Sequence, residues 1–286
     1  MKSIVFLITL SYLIILGCGD ENHASSEPTN HSTDPHPIHS NGNNIETRFP
    51  LPEGFQRIQC SPKEFGFFLR RLPLKPEGSL VKKFDGNSKS NPDVYAAVVD
   101  LPIGKKDLHQ CADAIIRLRA DYLRSLNRQM DIRFHFTNGF LAEYSKWIEG
   151  QRIKVNGNNC SWENTGIKGD ADDNYWKYLE MVFNYAGTLS LSKELKSQKW
   201  EYMQIGDVLI YGGSPGHAVI VVDMAEHSIT HEKIFMLAQS YMPAQEIQIL
   251  YNPNVKTKTV WYSLKMDNPI VTPEWTFEKS ELKKFL

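Results

Sequence analysis

What this sequence has little of narrows its class first. It has no charge excess of either sign: 32 Lys and Arg stand against 33 Asp and Glu, a formal net charge of -1 over 286 residues. A dedicated nucleic-acid binder normally carries a basic surplus or stripe, so no nucleic-acid partner is expected. It has only four cysteines, too few for a disulfide scaffold at this length. No phosphate-binding loop, dinucleotide fingerprint or HExxH zinc motif occurs, and no cofactor or metal is called for. There is no internal repeat, and no apolar run of the ~20 residues that a comfortable membrane span needs. What is there is core material. At 41% hydrophobic and 11% aromatic residues, the chain can bury enough surface to exclude global disorder.

Composition changes abruptly only near the N-terminus. Met1-Lys2-Ser3, an apolar stretch from Ile4 to Leu16, and Gly17-Cys18 are the basic, apolar and small-residue parts of a secretory signal. Residues 1–17 are therefore expected to be a signal peptide. Ile15-Leu16-Gly17-Cys18 also resembles a bacterial lipobox, which makes Cys18 the expected lipidation site and mature N-terminus. The alternative is an ordinary signal peptide with an incidental cysteine. Asp20-Glu21 resembles the acidic surface-export signals of some Bacteroidota lipoproteins. From Gly19 to about Thr47 the chain is Ser, Asn, His, Pro and acidic residues, which cannot offset their own ordering entropy. Residues 18–48 thus read as a lipidated, disordered tether, and His23, His31, His36 and His39 as solvated rather than metal-binding. The expected location is the cell envelope, lipid-anchored to a membrane (outer membrane, periplasmic or surface face). Residues 49–286 read as one domain.

Within that domain, Ser61-Pro62-Lys63-Glu64 has the cap, Pro and Glu spacing that opens a helix, running through Phe65, Phe68 and Leu69. Val94 to Leu101 reads as a strand. Asp107 is expected to cap a helix from Leu108 to about Leu126, with Cys111, Ile115, Leu118 and Tyr122 on one face. On another face Asp113, Arg117 and Asp121 are spaced as i,i+4 pairs. Tyr175 to Tyr185 is helical in period. Short β-rich runs follow at Val208–Tyr211, His217–Val222, Lys233–Ala238, Ile247–Tyr251 and Val260–Leu264, and a final short helix is expected near Lys279 to Phe285. Helices first and consecutive strands later predict an α+β fold with an antiparallel sheet.

With Cys18 assigned to lipid, Cys60, Cys111 and Cys160 remain. In an oxidising compartment two of them can pair; if Cys60 bonds Cys160, Cys111 is the free thiol. Cys111 lies in the first turn of an expected helix, where the positive end of the dipole favours thiolate. A thiolate nucleophile needs a base, and the base an orienting partner. His217 follows the turn-rich run Gly212-Gly213-Ser214-Pro215-Gly216 and opens an apolar strand, so it can stand at a sheet's end. Symmetric pairing about Glu226–His231 would set it opposite Gln239, Ser240 or Tyr241, of which Gln239 can hold one imidazole nitrogen. Asp223 lies about 20 Å along the same strand and is out of reach. The bland alternatives stay open: a core cysteine accounts for the helix face equally well, and a loop histidine for His217. So does an aromatic cleft at Trp147, Trp162, Tyr175, Trp176 and Tyr178 that binds peptide or glycan without catalysis. Gly169 to Asn174 reads as a solvated acidic turn rather than a calcium loop, lacking EF-hand periodicity.

The order Gln110-Cys111-Ala112-Asp113, Gly206-Asp207-Val208, Gly216-His217-Ala218 and Ala238-Gln239-Ser240 resembles that of papain-like, NlpC-type cysteine peptidases. This resemblance implies a Cys111-bearing helix packed on an antiparallel sheet bearing His217. It makes Cys111 the nucleophile, His217 the base and Gln239 the orienter of an amide hydrolase or transferase acting on peptide or cell-wall material. Four stretches are similar to an uncharacterised family of Bacteroidota lipoproteins, domain-of-unknown-function family 4846. They are Phe68–Leu74, Asp107–Asp113, Tyr185–Thr188 and Ala238–Gln245.

Overall fold

The strands of the last third pair antiparallel into a central sheet. Its neighbours run Tyr95–Val98, Gln248–Leu250, Lys233–Gln239, His217–His227, Val208–Tyr211, Leu282–Lys284 and Lys196–Ser197. Phe55–Arg57 and Trp261–Ser263 extend the far ends of the His217 and Lys233 strands. The computed structural model describes residues 41–286, which fall in one compact unit. The expected signal peptide, Cys18 and most of the tether lie outside the described residues. No described helix is long and apolar enough to cross a membrane.

The architecture is α+β, as expected. The His217 strand is apolar on both faces because both are covered. Ala218, Ile220 and Val222 meet the helical layer, while Val219 and Val221 pack with Phe235, Leu237 and Tyr262 on the other side. The helix Cys111–Ser125 buries Ile115, Leu118 and Tyr122 against the first face, as its spacing predicts. Arg117 pairs with Asp121 at 3.3 Å. Asp113 does not join that ladder. It turns inward, where its carboxylate accepts from the Gln110 N–H at 3.1 Å.

Several boundaries differ from expectation, each for a local reason. The ordered chain begins before Phe49: Asn44 caps a short helix, Ile45–Arg48, whose Ile45 is fully buried. Four residues of the expected tether therefore belong to the domain. Ser61–Glu64 closes a turn on itself, the Glu64 side chain accepting from the Ser61 N–H at 2.8 Å, so the helix starts at Phe65. The long helix starts at Cys111, not Leu108, because Asp107 accepts instead from the Ala244 N–H (2.6 Å) and the Gln110 side chain (3.0 Å). The expected last helix is a single turn, Lys279–Glu281, followed by the strand Leu282–Lys284. Pairing with Val208–Leu209 satisfies its backbone and buries Leu282.

Cys60 and Cys160 do not pair; Cys60, Cys111 and Cys160 are all free thiols. Cys160 sits on the hairpin strand Asn159–Asn164, within 3.2 Å of the Asn138 side chain. Cys60 lies against Gly66. The aromatic cleft, the alternative reading, does not form from all five residues. Trp147, Tyr175 and Tyr178 are core residues, and only Trp162 and Trp176 remain half-exposed. Asp170 and Asp172 of the acidic turn are taken by Arg124, at 3.1 and 2.8 Å.

Candidate functional site

Two stretches hold the candidate thiol in place by gripping each other. Asp107 accepts from the Ala244 N–H, and the Ser240 hydroxyl bridges to the carbonyls of His109 (2.9 Å) and Gln245 (2.6 Å). The loop before the Cys111 helix is thereby fastened to the loop after the Gln239 strand. His109 is sealed in this clasp; burial first, then the Arg117 charge, pushes its imidazole down to about 3, so it stays neutral.

Cys111 is the first residue of its helix and is 5% exposed. Its sulfur lies beside the backbone N–H of Ala218, the residue after His217. The helix terminus does not make it a thiolate. Burial foremost, and then the neighbouring Asp113, push the thiol up to about 11, against the opposing pull of the Ala112 and Ala218 N–H groups. Asp113 is itself pushed upward by burial. This corrects the expectation from the dipole: desolvation of an anion exceeds half a charge at a helix end.

His217 opens its strand at a point that demands glycine before it. A Cβ on Gly216 would lie 2.3 Å from the Thr188 hydroxyl and 2.6 Å from the Gly213 carbonyl. The imidazole points to the sheet face away from the Cys111 helix, into a pocket of Tyr241, Trp275 and Phe277, with ring centroids 5.0, 5.5 and 5.9 Å away. Its Nε2 lies 2.8 Å from Oε1 of Gln239. The Gln239 amide is oriented by a second bond, Nε2 donating to the Glu274 carboxylate at 2.5 Å. Glu274 is in turn held by Lys89 at 2.6 Å, and Lys89 also reaches Gln245 at 3.2 Å. Because a carboxylate only accepts, Gln239 must present its oxygen to the ring, and His217 must carry its proton on Nε2. Nδ1 therefore keeps its lone pair, and it is not among the sealed polar atoms left without a partner. Burial first, and then the Lys89 charge, push the imidazole down to about 4 despite the Gln239 bond.

The structure thus brings His217 and Gln239 into direct contact, and sets Cys111 beside the backbone of the next residue. No hydrogen bond joins the thiol to the imidazole among the described residues. Sequence reasoning missed Lys89, Glu274 and Trp275. They arrive from irregular segments with no periodicity to mark them.

The chemistry available is set by the two titrations. Moving the proton from sulfur to Nδ1 spans the gap between about 11 and about 4. At 1.36 kcal/mol per unit this is on the order of 10 kcal/mol, before the attraction of the resulting ion pair is counted. At rest the site holds a neutral thiol and a neutral base.

Residues 45–284 match the family described as domain of unknown function 4846. The chain belongs to that family. No curated protein and no solved structure matches it.

Proposed function

We propose that this chain is a lipid-anchored envelope protein of papain-like fold that hydrolyses or transfers an amide bond in peptide or cell-wall material through Cys111. The observation that carries the reading is the tautomer enforced on His217. The chain Lys89, Glu274, Gln239 and His217 leaves one unprotonated nitrogen on the residue that precedes Ala218, whose N–H the thiol meets. In the reaction, the His217 ring must turn at the strand's end from the opposite sheet face toward the thiol; Nδ1 then takes the Cys111 proton and the sulfur attacks the carbonyl carbon. The amine leaves with that proton, and water releases the acyl group from the thioester. Gln239 keeps the ring oriented as the imidazolium forms. The approximate 10 kcal/mol separation means that proton transfer belongs to the substrate-bound state, where the forming ion pair and the oxyanion are stabilised together. Lipid attachment rests on the Ile15–Cys18 lipobox alone. Palmitate labelling that disappears in Cys18→Ser is the expected result, and labelling that persists would overturn it.

A second reading, a non-catalytic binder on the same fold, is favoured by burial: His217 is 1% and Cys111 5% exposed. Alkylation by iodoacetamide, mapped by mass spectrometry, separates the two. In a catalytic protein Cys111 is modified in the wild type and its rate falls on His217→Ala. Cleavage of cell-wall peptide fragments follows the same dependence and is lost in Cys111→Ala. Equal Cys111 alkylation with and without His217, and no cleavage, would establish the binder.

A further inference from the structure

One cleft shares no lining residue with Cys111, His217 or Gln239. It has a volume of about 760 Å³ and lies between the hairpin Arg133–His135/Leu141–Glu143, the helix Thr188–Glu194 and the chain around Phe285. That volume falls within the range of small-molecule sites, roughly 300–1,000 Å³. Five cations line it against two side-chain carboxylates. Asp131 is spent on Arg128 at 2.6 Å, and Glu194 on the His135 ring (3.1 Å) and backbone N–H (2.9 Å). That second pair fastens the hairpin to the helix, so the two walls are fixed before anything binds. Arg133, Lys193 and Lys196 have no carboxylate partner among the described residues and are exposed at the cleft. Arg119 lies over the Phe285 ring at 5.0 Å and donates to the Leu286 carbonyl oxygen. Between these charges the lining mixes Thr137, Asn138 and Ser190 with the apolar Leu141, Phe285 and Leu286, which are open to solvent above the buried Leu123, Phe134, Phe136 and Leu195.

We infer that this cleft binds a small amphiphilic anion. Its carboxylate, sulfonate or phosphate head is met by Arg133, Lys193 and Lys196, and its hydrocarbon body lies on the apolar lining. The charges supply steering and pairing, and removal of the body from water supplies the rest of the affinity. The inference is independent of Cys111. It is tested with 8-anilinonaphthalene-1-sulfonate, a fluorescent amphiphilic anion, titrated into the full chain. Saturable binding is expected, weakened by added salt and displaced by laurate but not by inorganic phosphate. Arg133→Glu with Lys193→Glu should weaken it at least about tenfold, or 1.4 kcal/mol. The milder Arg133→Gln with Lys193→Gln should weaken it less, with the near-UV circular dichroism of both variants unchanged. Absence of saturable binding, charge variants that bind as well as wild type, or equal displacement by phosphate would each overturn the proposal.

Discussion

One strand carries two buried polar networks that differ in a single respect. At its middle, Asp223 takes Arg57 on one oxygen (2.8 Å) and Arg70 on the other (2.7 Å), and also accepts from the Met224 N–H (2.9 Å). Every strong group there is used, and the network pins the Phe65–Arg70 helix and the Phe55–Arg57 strand to the sheet. At the strand's start, His217 is held equally firmly through Gln239, Glu274 and Lys89, yet Nδ1 is left over. A saturated network is a structural fastening; one with a deliberate remainder has the means to move a proton. The first should therefore respond to substitution in stability alone, and the second in reactivity as well.

The largest expected effect is at the saturated end. Asp223→Ala leaves two guanidinium groups facing a cavity and should cost about 3–5 kcal/mol, read as a fall in the urea midpoint at unchanged slope. The rate of Cys111 alkylation in the folded state should not change. If it does, the two networks are one. Next is Glu274→Gln. It strips Lys89 of its carboxylate and should cost about 1–3 kcal/mol. It also frees the Gln239 amide to flip, so the Nε2–H tautomer is no longer enforced. A nitrogen chemical-shift spectrum of His217 should show mixed tautomers, and Cys111 alkylation should slow. A pure Nε2–H signal in this variant would remove Glu274 from the positioning role.

A third effect is acid sensitivity. His217 and His109 are pushed down to about 4 and about 3, below the ordinary value near 6.5. Between those limits the unfolded chain binds more protons, so stability is complete above about pH 6.5 and falls as the pH drops toward the folded values. Near pH 5 each histidine should have removed about 2 kcal/mol. Denaturation of His217→Gln across this window should show roughly half the wild-type loss from the pair. An undiminished loss would mean that other groups carry the acid transition.

Much of this site was legible in the sequence because the residues concerned sit at element boundaries. Cys111 opens a helix, His217 follows a glycine run, and Gln239 ends a strand. The expected pairing set position 240 opposite His217, whereas the observed register pairs Ala238 with Ile220, after a shift between Met236 and Leu237. Gln239 then falls beside Val219, on the His217 face and one diagonal step away, within reach of a long amide. The antiparallel sheet was legible for the same reason: its strands are short, β-branched and separated by turns. Lys89 and Glu274 were not, since a charge in a loop reads as solvated until the fold folds it in. Nor was the sign of the thiol's shift, because a dipole is written into a helix start but burial is not. The last strand was misread because Leu282 and Phe285, three apart among polar and charged residues, have the spacing of a helical turn, and only the sheet edge at Val208–Leu209 makes Leu282–Lys284 a strand.

The smallest expected effect tests which influence governs the thiol. Above its own elevated titration Asp113 is an anion, and an anion beside sulfur opposes ionisation; yet burial precedes it among the causes that raise Cys111 to about 11. Asp113→Asn removes the charge and keeps an oxygen for the Gln110 N–H. The midpoint of the alkylation rate against pH should therefore fall by less than about one unit, equivalent to about 1.4 kcal/mol, and remain alkaline. A drop to near neutrality in Asp113→Asn alone would mean that charge rather than desolvation holds the thiol silent. The helix terminus would then have been restrained by one carboxylate, and the saturated and open networks would differ in electrostatics as well as in a spare lone pair.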